Sequence, residues 1–161
     1  MVSEIKGETL SLRLCETSRA PMKEVNGITL ITGEGIEGDR HRCPTEKLKY
    51  SSTASVYSTP KRQVLLMDIE TLNSFDLQPG QIRENITIMG IKFSEIHDGD
   101  KFYFDSGVIL EITGDCDPCA FIEDIRKGLR AEIDGKRGLL AYVENGGQIN
   151  IGDRVEVVLK D

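Results

Sequence analysis

Residues 101–113 are Lys-Phe-Tyr-Phe-Asp-Ser-Gly-Val-Ile-Leu-Glu-Ile-Thr, and this stretch decides the class of fold. Two runs of apolar and β-branched residues, 101–104 and 108–113, flank the turn sequence Asp-Ser-Gly at 105–107. This composition predicts two β-strands joined by a turn. Similar runs occur at 9–14, 28–32, 63–67, 85–91, 139–143 and 154–159. Short strands at this frequency predict a mainly β barrel or sandwich with a few short α-helices.

Two short helices are predicted between the strands. Asp68 is a suitable N-cap for a helix that runs to about Phe75. In the second helix Asp117 is the predicted N-cap and Pro118 the first helical residue, and the apolar residues at 121, 122, 125 and 129 share one face. Residues 41–61 are rich in serine and lysine and are predicted to form a long surface loop, either a functional lid or a disordered segment.

Length and charge exclude several classes of protein. The 161 residues predict a single domain over 1–161, and 20 Lys+Arg against 27 Asp+Glu give a net charge of −7. This excess of acid argues against nucleic acid and anionic membranes as partners. No apolar run approaches the roughly 20 residues of a membrane span, and the N-terminus lacks the apolar core of a signal peptide. We therefore expect a cytoplasmic protein.

Of the four cysteines, at 15, 43, 116 and 119, only the last two have a recognisable spacing, Cys116-Asp117-Pro118-Cys119. A helix start favours the thiolate form of a cysteine, whereas the flanking Asp115 and Asp117 oppose it. Four interpretations stay open on the residues alone: a single functional thiol at Cys119, ordinary structural residues, a thioredoxin-like redox pair and a zinc site. The redox pair lacks a βαβ context and the zinc site lacks a second ligand pair, so the single thiol is favoured.

Three polar clusters, at 35–41, 79–86 and 135–138, are candidates for binding an anionic or heterocyclic ligand. The glycines of the first cluster allow positive φ angles, and its Arg40 suits an anion. In the second, Arg83 has the geometry to bind a phosphate and Asn85 to bind the edge of a heterocycle. The third offers the two cations Lys136 and Arg137. On the residues alone, a connecting turn with solvated charges is favoured for the first cluster and a turn that bonds its own backbone for the second, and a basic hairpin tip is equally compatible with the third.

The order of these motifs resembles the MOSC domain, a family named for the C-terminal domain of molybdenum cofactor sulfurase. The resemblance runs from about residue 7 to residue 158. It is carried by Gly-Ile-Glu-Gly-Asp-Arg-His at 35–41, Arg-Gln-Val at 62–64, Pro-Gly at 79–80, Glu-Asn at 84–85, Pro-Cys at 118–119, Gly-Leu-Leu-Ala-Tyr-Val at 138–143 and Gly-Asp-Arg-Val at 152–155. It implies a stand-alone MOSC domain with a β-barrel-like fold.

The resemblance also implies a function associated with the molybdenum cofactor (molybdopterin). The cysteine of the family's Pro-Cys pair corresponds to Cys119, the candidate catalytic residue. Its thiol is expected either to ligate molybdenum in the reduction of N-hydroxylated compounds or to carry sulfur. The alternatives are a non-catalytic cofactor carrier and a thiol redox protein. The implied cofactor-binding residues are Asp39, Arg40, His41, Arg62, Arg83, Asn85, Lys136 and Arg137.

The same resemblance suggests partners and marks departures from the family pattern. The implied partners are an external electron donor or a cysteine desulfurase-like sulfur donor, together with a small-molecule substrate. The family also has an association with pyridoxal phosphate binding. Arg83 stands where a glycine often precedes Glu-Asn, and Asp115 and Asp117 stand where basic or polar residues are usual.

Overall fold

The computed structural model describes residues 5–17, 19–43 and 60–161, so residues 44–59 of the predicted loop lie outside the described residues. Three short helices, α1 (Ile69–Ser74), α2 (Ala120–Ile125) and α3 (Leu129–Glu132), accompany two 3-10 turns, Pro60–Arg62 and Phe93–Glu95. The strands are β1 (Ile5–Leu14), β2 (Lys23–Val25), β3 (Gly27–Ile31), β4 (Gly35–Ile36), β5 (Val64–Asp68), β6 (Ile86–Met89), β7 (Lys101–Phe104), β8 (Ile109–Asp115), β9 (Leu139–Asn145), β10 (Gly147–Asn150) and β11 (Arg154–Val158).

Seven strands close a barrel in the order β11-β7-β8-β9-β5-β6-β1, because β1 also pairs with β11. β2 extends the sheet beyond β1, and β10-β3-β4 form a second, smaller sheet. Among the described strands β5 and β6 pair in parallel, since α1 crosses over between them, and the other pairings are antiparallel. The prediction of a mainly β, barrel-like fold with a few short helices is confirmed.

β5 separates two hydrophobic clusters. Successive side chains of a strand point to opposite faces, so Leu66 packs inside the barrel while Met67 packs outside it. The outer cluster buries the apolar faces of the three helices through Leu72, Ile122 and Leu129. The helices therefore lie against the outer wall of the barrel, where they border the site described below. Within the described residues, no helix has the length and apolar character needed to cross a membrane.

The helix predictions are partly confirmed. Asp68 caps α1, because its Oδ2 accepts the backbone N–H of Thr71 at 3.1 Å. The second helix begins later than predicted: its N-cap is Cys119, with an extended backbone (ψ 175°), and not Asp117. It is also split in two. Glu123 accepts the N–H groups of Gly128 at 2.9 Å and Arg130 at 3.2 Å, which ends α2 and starts α3.

Candidate functional site

A cavity of about 300 Å³ lies on the outer wall of the barrel, against β5 and β9. Leu65 and Leu140 pair in register and form its floor, since their neighbours Leu66 and Ala141 point into the barrel core. We call this cavity the arginine cavity. The rest of its described lining consists of Arg19, Arg40, His41, Arg62, Arg83, Cys116, Asp117, Cys119, Phe121 and Arg137. Five guanidinium groups against one carboxylate make this described lining strongly cationic, although the chain as a whole has a charge of −7.

Cys119 is the accessible thiol of this site. The cavity lies beside the loop 116–119, which is tied at both ends: Cys116 N–H donates to the Gly138 carbonyl at 2.9 Å, and Arg130 Nε donates to the Pro118 carbonyl at 3.1 Å. All four cysteines are free, and Cys119 is exposed whereas the other three are buried. The fold thus presents one thiol at the edge of a cationic cavity.

Two of the arginines have buried nitrogens without a hydrogen-bond partner. Arg137 is only 4% exposed, yet its Nε and Nη1 have no acceptor among the described residues, and the Nε of Arg62 is in the same state. The Arg137 guanidinium lies 5.6 Å from the centre of the Phe121 ring, which supports one face of the group but accepts none of its N–H bonds in plane. Because a buried cation without an anion is costly, these nitrogens fit a bound anionic group.

Arg83 reaches the cavity from a strained backbone. Its φ of 66° is in the left-handed region, which costs a residue other than glycine about 1–2 kcal/mol. The side chain donates from Nη2 to the Ala20 carbonyl at 2.8 Å and lies 3.0 Å from Cys15 Sγ. Here the chain keeps the conformation that a glycine would adopt, and the side chain adds a positive charge to the cavity.

The structure brings five of the eight candidate cofactor-binding residues to the described lining of the cavity: Arg40, His41, Arg62, Arg83 and Arg137. Lys136 does not line it; this residue lies beside a second cavity, with its ammonium 6.0 Å from the centre of the Phe75 ring. Asp39 and Asn85 do not line it either; both are buried inside the protein.

Asp39 and Asn85 are held by backbone groups from distant segments, and we call this set the Asp39–Asn85 network. Asp39 accepts the N–H of Cys15 at 2.8 Å and the N–H of His41 at 3.1 Å, and it accepts the Asn85 amide at 3.3 Å. Asn85 also accepts the Leu65 N–H at 3.0 Å and donates to the Arg13 carbonyl at 3.1 Å. The network fixes the loop that carries Arg40 and His41 against β5.

Some lining residues were missing from the sequence-based prediction. Arg19 has no motif around it, and Phe121 was assigned only to an apolar helix face. A protein-only metal centre is not formed either: the described residues contain no group of three His, Cys, Asp or Glu side chains placed to hold a metal.

The chain belongs to the MOSC domain family, because the MOSC domain matches residues 37–156 of this seven-stranded barrel protein. The YuaD protein of Bacillus subtilis (strain 168), described as a candidate for metal-sulfur cluster biosynthesis, is 26% identical over 170 residues, which cover 91% of this chain and 87% of that protein. The family resemblance of the motifs is thereby confirmed.

Solved structures agree with this assignment at the level of the fold. The crystal structure of YuaD from Bacillus subtilis matches with a TM-score of 0.80 and 22% identity over the whole of both chains. That of YiiM from Escherichia coli matches with a TM-score of 0.63 and 17% identity, over 96% of this chain and 71% of YiiM. At these identities the likeness supports the barrel fold alone.

Proposed function

We propose that this MOSC domain binds the molybdenum cofactor in the arginine cavity and uses Cys119 as the thiol that ligates its metal. The observation that carries the proposal is the pairing of buried, unpartnered guanidinium nitrogens on Arg137 and Arg62 with the single exposed cysteine, all on one cavity. The chain thereby provides anion recognition and a soft sulfur ligand side by side.

Each part of the described lining has a task in this proposal. Arg137 and Arg62 bind the phosphate of the cofactor, whose charge satisfies their free N–H groups. Leu65, Leu140 and Phe121 provide an apolar wall for the pterin ring system. When bound, the cofactor supplies a molybdenum centre that exchanges electron pairs with a substrate. Cys119, at the N-cap of α2, holds its sulfur at the open side of the cavity.

The reaction in this proposal is the two-electron reduction of N-hydroxylated small molecules. The described residues offer no second thiol on the surface, so the electrons come from an external donor protein. The pyridoxal phosphate association stays a family-level expectation, and the described lining of the arginine cavity includes no lysine to bond its aldehyde.

Sulfur transfer is the second candidate, and the exposure of Cys119 favours it. In that reaction the Cys119 thiolate attacks the sulfane sulfur of a donor persulfide, such as that of a cysteine desulfurase-like protein. The donor's S–S bond breaks, Cys119 becomes a persulfide, and the donor leaves as a thiolate, so no net oxidant is needed. The description of YuaD as a candidate for metal-sulfur cluster biosynthesis is in line with such a role.

The test measures molybdenum per chain after anaerobic purification from a host that makes the cofactor. We expect near-stoichiometric metal in the wild type and in the Cys43→Ser control, and loss of the metal in Cys119→Ser. Cys116→Ser should keep its metal, whereas equal loss in both variants would favour a redox pair. Absence of metal together with one added sulfur on Cys119 by mass spectrometry would favour the sulfur carrier. Neither metal nor added sulfur in any protein would overturn both candidates.

Turnover separates an enzyme from a cofactor carrier. Loaded protein supplied with an artificial electron donor should reduce an N-hydroxylated amidine, and Cys119→Ser should not. Full metal loading without turnover would instead indicate a carrier that passes the cofactor to a partner.

A further inference from the structure

A second cavity, of about 380 Å³, lies at one end of the barrel and contains none of the cysteines among its described lining residues. Met67 of the outer hydrophobic cluster and Phe93 and Leu139 of the barrel core provide its apolar surface. The segment 135–138 separates it from the arginine cavity, because Lys136 and Gly138 line the second cavity while Arg137 lines the first. We call this second cavity the Asp68 cavity.

Asp68 gives this cavity an unsatisfied acceptor. The residue is 3% exposed, and its Oδ2 accepts both the N–H of Thr71 at 3.1 Å and the hydroxyl of Thr71 at 2.7 Å. The other oxygen, Oδ1, is buried and has no partner among the described residues. Burial raises the pKa of Asp68 above its ordinary value. An ammonium group, with three N–H donors, is the complement of such an oxygen.

The remaining charges of the described lining are nearly balanced. Glu70 accepts the N–H of Gly90 at 3.1 Å, and Asp115 is exposed. Against these carboxylates stand Lys136, which faces the Phe75 ring, and the exposed Lys92. Each of these charges attracts the opposite charge on a ligand, so a ligand that carries one charge of each sign has a partner here for both.

We propose that the Asp68 cavity binds a small zwitterion of the α-amino acid type, with its ammonium on Asp68 and its carboxylate towards Lys92. The short apolar body of the ligand lies against Met67, Phe93 and Leu139. This site is independent of Cys119 and of the molybdenum proposal, because it uses a different cavity and different residues.

The test is calorimetric titration of the wild type with L-leucine and L-methionine, beside two leucine analogues that each lack one charge. These are 3-methylbutylamine, without the carboxylate, and 4-methylpentanoate, without the amine. We expect both amino acids to bind and each analogue to bind at least about tenfold more weakly. No binding of either amino acid at millimolar concentration would overturn the proposal.

Variants assign the two charges. Asp68→Asn keeps an N-cap for α1, so the fold should persist while leucine binding falls at least about tenfold. Lys92→Gln, on the surface, should weaken binding about threefold, and it remains informative if Asp68→Asn proves unstable. The exposed control Lys127→Gln and Cys119→Ser should both bind leucine as the wild type does. Equal affinity in the wild type and in both cavity variants would overturn the proposal.

Discussion

The Asp39–Asn85 network and the arginine cavity lie next to each other. Their polar side chains are buried to a similar extent, but those of the network have hydrogen-bond partners and some of those in the cavity do not. Asn85 is 3% exposed and Arg137 is 4% exposed. Asn85 has partners on Arg13, Leu65 and Asp39, while Arg137 has two buried nitrogens with none among the described residues. Burial alone thus says little about the role of a polar side chain. The satisfied groups of Asn85 hold the fold together, whereas the unsatisfied nitrogens of Arg137 lie where we propose that a ligand binds.

Asn85→Ala should produce the largest loss of stability. It leaves the Leu65 N–H and the Arg13 carbonyl without their Asn85 partner and removes one of the three donors to Asp39, so we expect the free energy of unfolding to fall by about 3 kcal/mol. Urea denaturation measures this. Asn73→Ala, exposed on α1, is the control and should change stability by less than about 0.5 kcal/mol. Equal losses of stability for the two substitutions would show that the Asp39–Asn85 network does not stabilise the fold.

Gly138→Ala should destabilise the segment that separates the two cavities. Gly138 has a φ of 120°, and an added Cβ would lie 2.7 Å from the Leu66 carbonyl oxygen, so we expect a loss of about 2 kcal/mol. Gly135→Ala is a matched control with a φ of 82° and no atom within 4 Å of the added Cβ. It should cost about 1 kcal/mol, from backbone strain alone. Thermal or urea unfolding measures the loss of stability in both variants. Equal losses would contradict a destabilising contact between the added Cβ and the Leu66 carbonyl oxygen.

Arg137→Met should separate binding from stability. The variant removes a buried, unpartnered guanidinium and keeps an apolar contact with Phe121, so the free energy of unfolding should rise by up to about 1 kcal/mol. Binding of inorganic phosphate, followed by calorimetry, should fall at least about tenfold. Arg154→Met, exposed on β11, is the control for both measurements. A loss of stability near that of Asn85→Ala would show that Arg137 belongs with the structural residues.

The barrel was predictable because its long strands carry their own signal. Alternation along 9–14 and the runs at 101–104 and 108–113 indicate strands from a few neighbouring residues. β2, β4 and β10 were missed, since strands of two to four residues with at most two buried residues show no period. The closure of β1 on β11 and the parallel β5–β6 pairing depend on contacts between distant segments, which no local pattern reports.

The site was predictable only as a set of charged residues in motifs. Cys119 came from a motif that matches the family, whereas Arg83 and Arg137 came from charged clusters beside such motifs. The structural role of Asn85 was not predictable, because its partners Asp39 and Arg13 lie 46 and 72 residues away in the chain. The same residue types thus serve binding or stability according to partners that only the folded chain brings together.

Glu84→Gln tests a neighbour of the Asp39–Asn85 network in the chain, since Glu84 precedes Asn85 and is fully buried. Its carboxylate accepts the Gly80 N–H at 2.9 Å and the Thr87 hydroxyl at 3.0 Å, yet burial outweighs these bonds and raises the pKa of Glu84 above the ordinary 4.5. The folded state therefore holds this proton at pH values where the unfolded chain has lost it. The contribution of Glu84 to the free energy of unfolding consequently decreases as the pH rises from 4.5 through the raised pKa, and this contribution is constant above the raised pKa.

Glutamine keeps both hydrogen bonds, because the Thr87 hydroxyl also accepts, and it has no charge to desolvate. The variant should thus be more stable than the wild type at neutral pH, by up to about 1 kcal/mol, and the difference should shrink towards zero at acidic pH. Urea unfolding of both proteins between about pH 4 and pH 8 measures it, with the exposed Glu95→Gln as control. Since Asp68 titrates alike in both proteins, the difference isolates Glu84. A difference independent of pH would mean that the Glu84 carboxylate is as well satisfied as the amide of Asn85.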